Sequence, residues 1–149
     1  MSSKLEIINL QKFHRVNKNK IKELVLGVLK AEAADAEINV VLVDNKKIKE
    51  MNNAFLGHNY ATDVLSFAYE KEEMHGNNVT GEIVISVEMA ARLARRQERA
   101  VDGELALYLT HGLLHLLGYN DTKKADAKKM HQRERVLLTD LGYNVPVPE

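Results

Sequence analysis

No cysteine occurs among the 149 residues. That absence excludes disulfides, thiolate metal ligands and cysteine nucleophiles, and leaves His, Asp and Glu as the strong metal-binding side chains. It also fits a reducing compartment. Neither sign of charge is in excess, since 21 Lys and Arg balance 21 Asp and Glu. A bulk-basic nucleic-acid binder is therefore excluded, whereas a local basic surface is not, because a zero sum says nothing about distribution. The sequence lacks a run of about 20 apolar residues to span a bilayer. Its amino terminus also lacks the apolar stretch of a signal peptide, so the expected location is the cytoplasm, away from membranes. Both prolines, Pro146 and Pro148, fall in the tail 145–149, which is expected to lie extended.

What is present is the material of a soluble folded unit. At 45% hydrophobic and 28% charged residues the chain is far from a disordered composition. Its length suits one domain over residues 1–149, with no internal repeat or low-complexity tract. Apolar periodicity predicts strands at 5–10, 38–43, 64–67 and 81–87, of which 38–43 reads as buried on both faces. Helices are expected over Ile21, Leu24, Val25, Val28 and Leu29; from the cap Asp44 through Ile48, Met51 and Phe55 to Gly57; over 88–100; from Gly103 through the motif below; and over 125–141. The polar segment 70–80 reads as an exposed connection.

The most informative stretch is Thr110-His111-Gly112-Leu113-Leu114-His115-Leu116-Leu117-Gly118-Tyr119-Asn120-Asp121. Four residues is slightly more than one helical turn, so His111 and His115 project from the same helix face and can share one metal ion. Gly118 stands where a left-handed cap would turn the chain back, which would return Asp121 towards the imidazoles as a third ligand. Three protein ligands leave a coordination position open, as in catalytic zinc sites. The helix is apolar nearly all round, so imidazoles on it need partners: a metal, or else backbone and carboxylate groups of the core. The spacing is similar to that of metzincin proteases, but the residue after the first His, their Glu general base, is here Gly112, which argues against peptide hydrolysis by that route.

A second candidate feature is Arg92, Arg95, Arg96 and Arg99, spaced i, i+3, i+4 and i+7 on one expected helix. Like charges so stacked repel, and a phosphate backbone would offset the repulsion. The alternative is a solvated face neutralised by Glu88, Glu98 and other acids.

Three segments in order, Ala61-Thr62-Asp63-Val64-Leu65-Ser66-Phe67, Gly81-Glu82-Ile83-Val84-Ile85-Ser86 and His111 through Asp121, resemble the YbeY family of bacterial metal-dependent endoribonucleases. The resemblance implies an α+β fold: a small mixed β-sheet of about four strands, about five helices, a buried zincin-like helix carrying the metal ligands, and a cleft beside it. It implies one divalent ion, Zn²⁺ first among candidates, and cleavage of single-stranded RNA in rRNA maturation at the 3′ end of 16S rRNA. Roles in ribosome biogenesis and quality control follow, with ribosomal RNA and ribosomal particles as partners. Two departures stand out. The family's third ligand is usually His where this chain has Asp121, and its Arg before the Thr-Asp-Val-Leu-Ser-Phe strand is here Leu56, with Ala61 in place of a common Pro. The missing Arg's contact with RNA would fall to His58, to the arginine stripe, or to no residue at all. Thr62, Tyr119 and Asn120 are further candidates for contacts around the metal or substrate. Catalytic groups beyond the metal ligands stay unassigned, as does the choice between water and the RNA 2′-hydroxyl as nucleophile. Two other functions fit parts of the pattern: a zinc peptidase, and a non-enzymatic ribosome-assembly or RNA-binding factor with a structural metal.

Overall fold

The computed structural model describes residues 3–69 and 78–147. Its elements run β1 (Lys4–Asn9), α1 (Lys18–Ala31), β2 (Asp35–Val43), α2 (Asn45–Leu56), β3 (Val64–Tyr69), β4 (Asn78–Ser86), α3 (Val87–Arg96), α4 (Val101–Leu116) and α5 (Lys124–Asp140). The four strands form one sheet in the order β1-β2-β4-β3. β1, β2 and β4 are parallel, and β3 lies antiparallel to β4 as an edge strand, with Leu65 opposite Val84. The expected α+β architecture with a mixed sheet is therefore present.

Alternation along the strands divides the apolar side chains between two faces. Ile38, Val40, Leu42, Ile83 and Ile85 face the main core, which α1, α4 and α5 complete with Val28, Leu113, Leu114, Met130 and Leu138. Val41, Val43, Val84 and Leu65 face a smaller core closed by Ile48 of α2. β2 is buried on both faces only from Val40 onward, because Glu37 and Asn39 emerge into solvent in its first half. The helix starts follow local chemistry. Asn17 accepts from the amides of Asn19 and Lys20, Asp44 from Lys47, and Ser86 from Met89, each satisfying amides that the first turn leaves orphaned.

Several expectations need correcting. Phe55 does not join Ile48 in the core but is 66% exposed, and the buried position on α2 belongs to Asn52. The connection expected over 70–80 ends earlier, since β4 already begins at Asn78, and residues 70–77 lie outside the described residues. The helix expected over 88–100 stops at Arg96, and Glu98 takes a positive φ of 53°. Arg99 consequently leaves the helix face that Arg92, Arg95 and Arg96 share. Its Nε lies 3.4 Å from Glu104, a residue only 2% exposed, so this arginine neutralises a buried acid instead of extending a stripe. Arg92 is likewise paired, with Glu88 of its own helix.

α4 is the central helix, packed against α1, α3, α5, β3 and β4. Gly112 is where it meets the sheet. A Cβ added there would come within 3.0 Å of both Ile83 and Ser66 and within 3.2 Å of Val64, while the Gly112 carbonyl accepts from Ser66 Oγ at 3.0 Å. The position that carries a Glu in the zinc proteases thus faces a packed strand. Gly112→Ala should lower the melting temperature even though Ala is better in helices by about 1 kcal/mol, because overpacking costs about 1–3 kcal/mol. Gly112→Glu should prevent stable folding, and a thermal melt matching wild type for either variant would contradict this packing.

Candidate metal centre

The turn after α4 brings the motif together. Leu117 ends the helix, Gly118 takes φ 101°, and the amides of Gly118 and Tyr119 bond back to His115 and Leu114 at 3.1 and 2.9 Å. This is a Schellman closure, in which a left-handed residue lets the last carbonyls find donors. Asn120 then accepts from the amide and hydroxyl of Thr122, folding residues 120–122 into a tight turn that carries Asp121 back over the helix end. Tyr119 is anchored elsewhere, its hydroxyl donating to Glu32, which also receives Arg133 of α5.

Three donor atoms converge as a result. His111 Nε2 and His115 Nε2 are 3.1 Å apart, and Asp121 Oδ2 lies 3.4 Å from the first and 3.3 Å from the second. Ligands at roughly 2.1 Å from a tetrahedral zinc stand roughly 3.4 Å from one another. The observed triangle therefore has the size that one such ion requires. Two imidazole lone pairs and a carboxylate pointed at a common centre form a donor set suited to a borderline divalent cation.

Behind His111 stands Glu134 of α5, 1% exposed, with Oε1 2.5 Å from His111 Nδ1. A proton on Nδ1 directed to this carboxylate leaves the Nε2 lone pair facing the triangle. Burial pulls the His111 pKa down and is the largest single influence. The hydrogen bond and charge of Glu134, with the charges of Asp121 and Asp63, together outweigh it and raise the value above 6.5. His131 also lies close, its ring 6.4 Å from that of His111, with a buried Nδ1 that has no hydrogen-bond partner among the described residues. His111, His131 and Glu134 form a second group of donors near one another. The 2.5 Å between His111 Nδ1 and Glu134 is a hydrogen-bond length, too short for two ligands flanking an ion, so Glu134 acts as the support of His111. Neither Glu134 nor His131 came out of the sequence reading. The signal for Glu134 was available: it shares the stripe of Met130, Leu137 and Leu138, and an acid on a core stripe needs a partner.

The two histidines open onto a cleft of about 510 Å³ walled by β3, with Leu56, Thr62 and Asp63 at its rim. Leu56 is thus part of the cleft lining. His58 lies on the loop before β3, exposed and stacked on Tyr60. Arg95 and Arg96 are exposed on α3 and carry no ion pair among the described residues.

Comparison with known proteins gives a consistent picture. A family model described as Endoribonuclease YbeY matches residues 6–142. Among similar curated proteins, one of that name from Syntrophus aciditrophicus is 40% identical, covering 96% of this chain and 93% of its own length. Another, from Alkaliphilus metalliredigens, is 32% identical over 95% of this chain and 97% of its own length. A third, from an Anaeromyxobacter species, is 47% identical over 73% of this chain, which spans 56% of that relative. The solution structure of a Thermotoga maritima protein matches with a TM-score of 0.66 and 28% identity, covering 92% of this chain and 88% of that one.

For an ion held by this triangle, His115→Ala should abolish stoichiometric binding, and Asp121→Ala should weaken it strongly, while Asp121→His should retain it. Glu134→Gln should weaken it by about 10–100-fold. Titration of the metal-stripped protein with Zn²⁺ measures each, and full occupancy in a His115→Ala, Asp121→Ala double variant would exclude the assignment. The pH dependence has a definite sign. In the metal-free protein the raised His111 pKa contributes stability that is fully present below 6.5 and lost as pH rises through the raised value. Metal must displace that proton, so calorimetry in this window should show proton release and an affinity that declines as pH falls.

Proposed function

The chain belongs to the YbeY family of endoribonucleases, and on that footing we propose that residues 1–149 act as one metal-dependent domain cleaving single-stranded RNA. Its place would be the maturation of ribosomal RNA, at the 3′ end of 16S rRNA, and the quality control of ribosomal particles in the cytoplasm. No helix among the described residues is long and apolar enough to cross a membrane. The observation that carries the reading is the triangle of His111, His115 and Asp121 at tetrahedral spacing, opening onto the cleft beside β3. We assign these three as ligands of one Zn²⁺. A bound divalent ion supplies Lewis acidity and lowers the pKa of water in its open position.

The remaining work falls to the chain itself. Glu134 holds His111 in one tautomer and orientation. Asp121 brings a negative charge where an imidazole would bring none, so the ion keeps a smaller net charge and is a weaker Lewis acid. Asp63 adds a second carboxylate at the cleft rim. With the ion removed, these two acids repel a phosphodiester, so RNA should enter the cleft only in the metal-loaded protein. Arg95 and Arg96 remain as exposed phosphate contacts, with Arg92 and Arg99 committed to Glu88 and Glu104. The peptidase alternative has no site for its base, because Gly112 is pressed against Val64, Ser66 and Ile83.

His115→Ala is the informative variant. His111→Ala would also strand Glu134 as an unpartnered buried acid and so cost stability as well as activity. Cleavage of single-stranded RNA should disappear in His115→Ala while circular dichroism stays unchanged. Equal cleavage by wild type and variant at matched purity would point to a contaminating nuclease, and would favour an assembly factor with a structural metal. In binding assays, Arg95→Gln with Arg96→Gln should flatten the slope of log K against log salt by up to about 1.4, at roughly 0.7 per phosphate contact. An unchanged slope would leave both arginines as a solvated face.

A further inference from the structure

The loop between α2 and β3 displays two rings that the metal centre does not use. His58 and Tyr60 lie nearly parallel, 9° apart in plane with centroids separated by 5.4 Å, and Tyr60 Oη is 3.3 Å from His58 Nδ1. Tyr60 is 56% exposed, so much of its ring meets solvent although His58 lies alongside it. Such exposure gives an aromatic ring little burial energy to hold its position. Order comes instead from bonds to the loop backbone: Asn52, 1% exposed, donates its side-chain Nδ2 to the Tyr60 carbonyl at 3.0 Å, and its backbone carbonyl accepts from the His58 amide at 3.3 Å. The platform is thus anchored to the interior of α2, although its surface is in solvent.

Its location ties it to the cleft. Leu56 on one side of the loop and Thr62 on the other both line the cavity that contains His111 and His115. Only Ala61 separates Tyr60 from Thr62, so their backbones are at most about 7 Å apart. A solvent-exposed aromatic ring separated by one residue from the lining of a cleft suits the flat face of an unpaired base, and stacking of this kind is tolerant of sequence because every base has a π-face. Resting on the endoribonuclease reading above, we propose that Tyr60, backed by His58, is a base-stacking subsite. It would hold one unpaired RNA base close to the scissile phosphate and so set the register of the strand in the cleft.

The test is abasic scanning. Single-stranded oligoribonucleotides, each lacking one base at a successive position, are cleaved by Zn²⁺-loaded wild type, Tyr60→Leu and Tyr60→Phe, and kcat/KM is compared. In wild type, loss of the base at one position near the cut should reduce kcat/KM by about 5-fold or more. In Tyr60→Leu the intact RNA should already be slower by that factor, and the same abasic position should no longer matter. Tyr60→Phe, which keeps the ring, should behave as wild type. The salt dependence should be equal in all three, since no phosphate contact is removed. Cleavage with no base-sensitive position, or an abasic effect undiminished in Tyr60→Leu, would overturn the subsite alone and leave the rings to a protein partner or a second copy of the chain. Absence of RNA cleavage by the metal-loaded wild type would overturn the nuclease reading itself, and the subsite with it.

Discussion

The hydrogen bond between His111 Nδ1 and Glu134 joins α4 to α5 at a depth where neither group could stand alone. A carboxylate 1% exposed is costly without a partner, and an imidazole on a helix packed on several sides must have its ring nitrogens accounted for. Pairing them resolves both problems and has a geometric result. With Nδ1 committed to α5, Nε2 has one direction left, and it is towards His115 and Asp121. The core therefore aims the site, and the interhelical packing that stabilises the protein also fixes the orientation of the first donor.

A second constraint acts on the neighbouring face of α4. Gly112 brings the helix against Val64, Ser66 and Ile83, so the histidines on either side of it in sequence flank a line of contact with the sheet. That closeness is what places β3 as a wall of the cleft within reach of both rings. It also removes the position from chemistry. A glycine that looked in the sequence like a missing catalytic base is, in the fold, the residue that lets helix and sheet touch.

Much of this was legible in the sequence because it rests on local rules. Strand and helix order follow from apolar period, the start of α2 from Asp44, and the return of Asp121 from Gly118, a glycine at a turn that needs φ above zero. The failures share a different cause. Arg99 fits an i, i+7 stripe only if α3 continues, and the helix stops because Glu98 takes a left-handed conformation and buried Glu104 attracts the guanidinium. Phe55 has the right period for the core, yet Ile48 and Met51 make the contact of α2 with the smaller core, and Phe55 instead meets Phe67 of β3 edge-on at 5.5 Å while staying largely exposed. Glu134 lies 23 residues from its partner, and no periodicity within one element reports a contact between two.

The three donors do not have equal freedom. His111 and His115 belong to a helix that cannot shift without disturbing Leu113 and Leu114, both fully buried. Asp121 stands in an exposed run beginning at Asn120, held by bonds that close within three residues. Opening that turn exposes no apolar core, so it belongs to the fast, low-energy motions of a protein, whereas displacing α4 requires breaking the main core. An ion seated here would consequently arrive and depart past the carboxylate, with the helix as a standing half-site. The carboxylate would add to the affinity that the rigid half provides and, carried on the movable Asn120 turn, would also set how readily an ion exchanges with the surrounding pool.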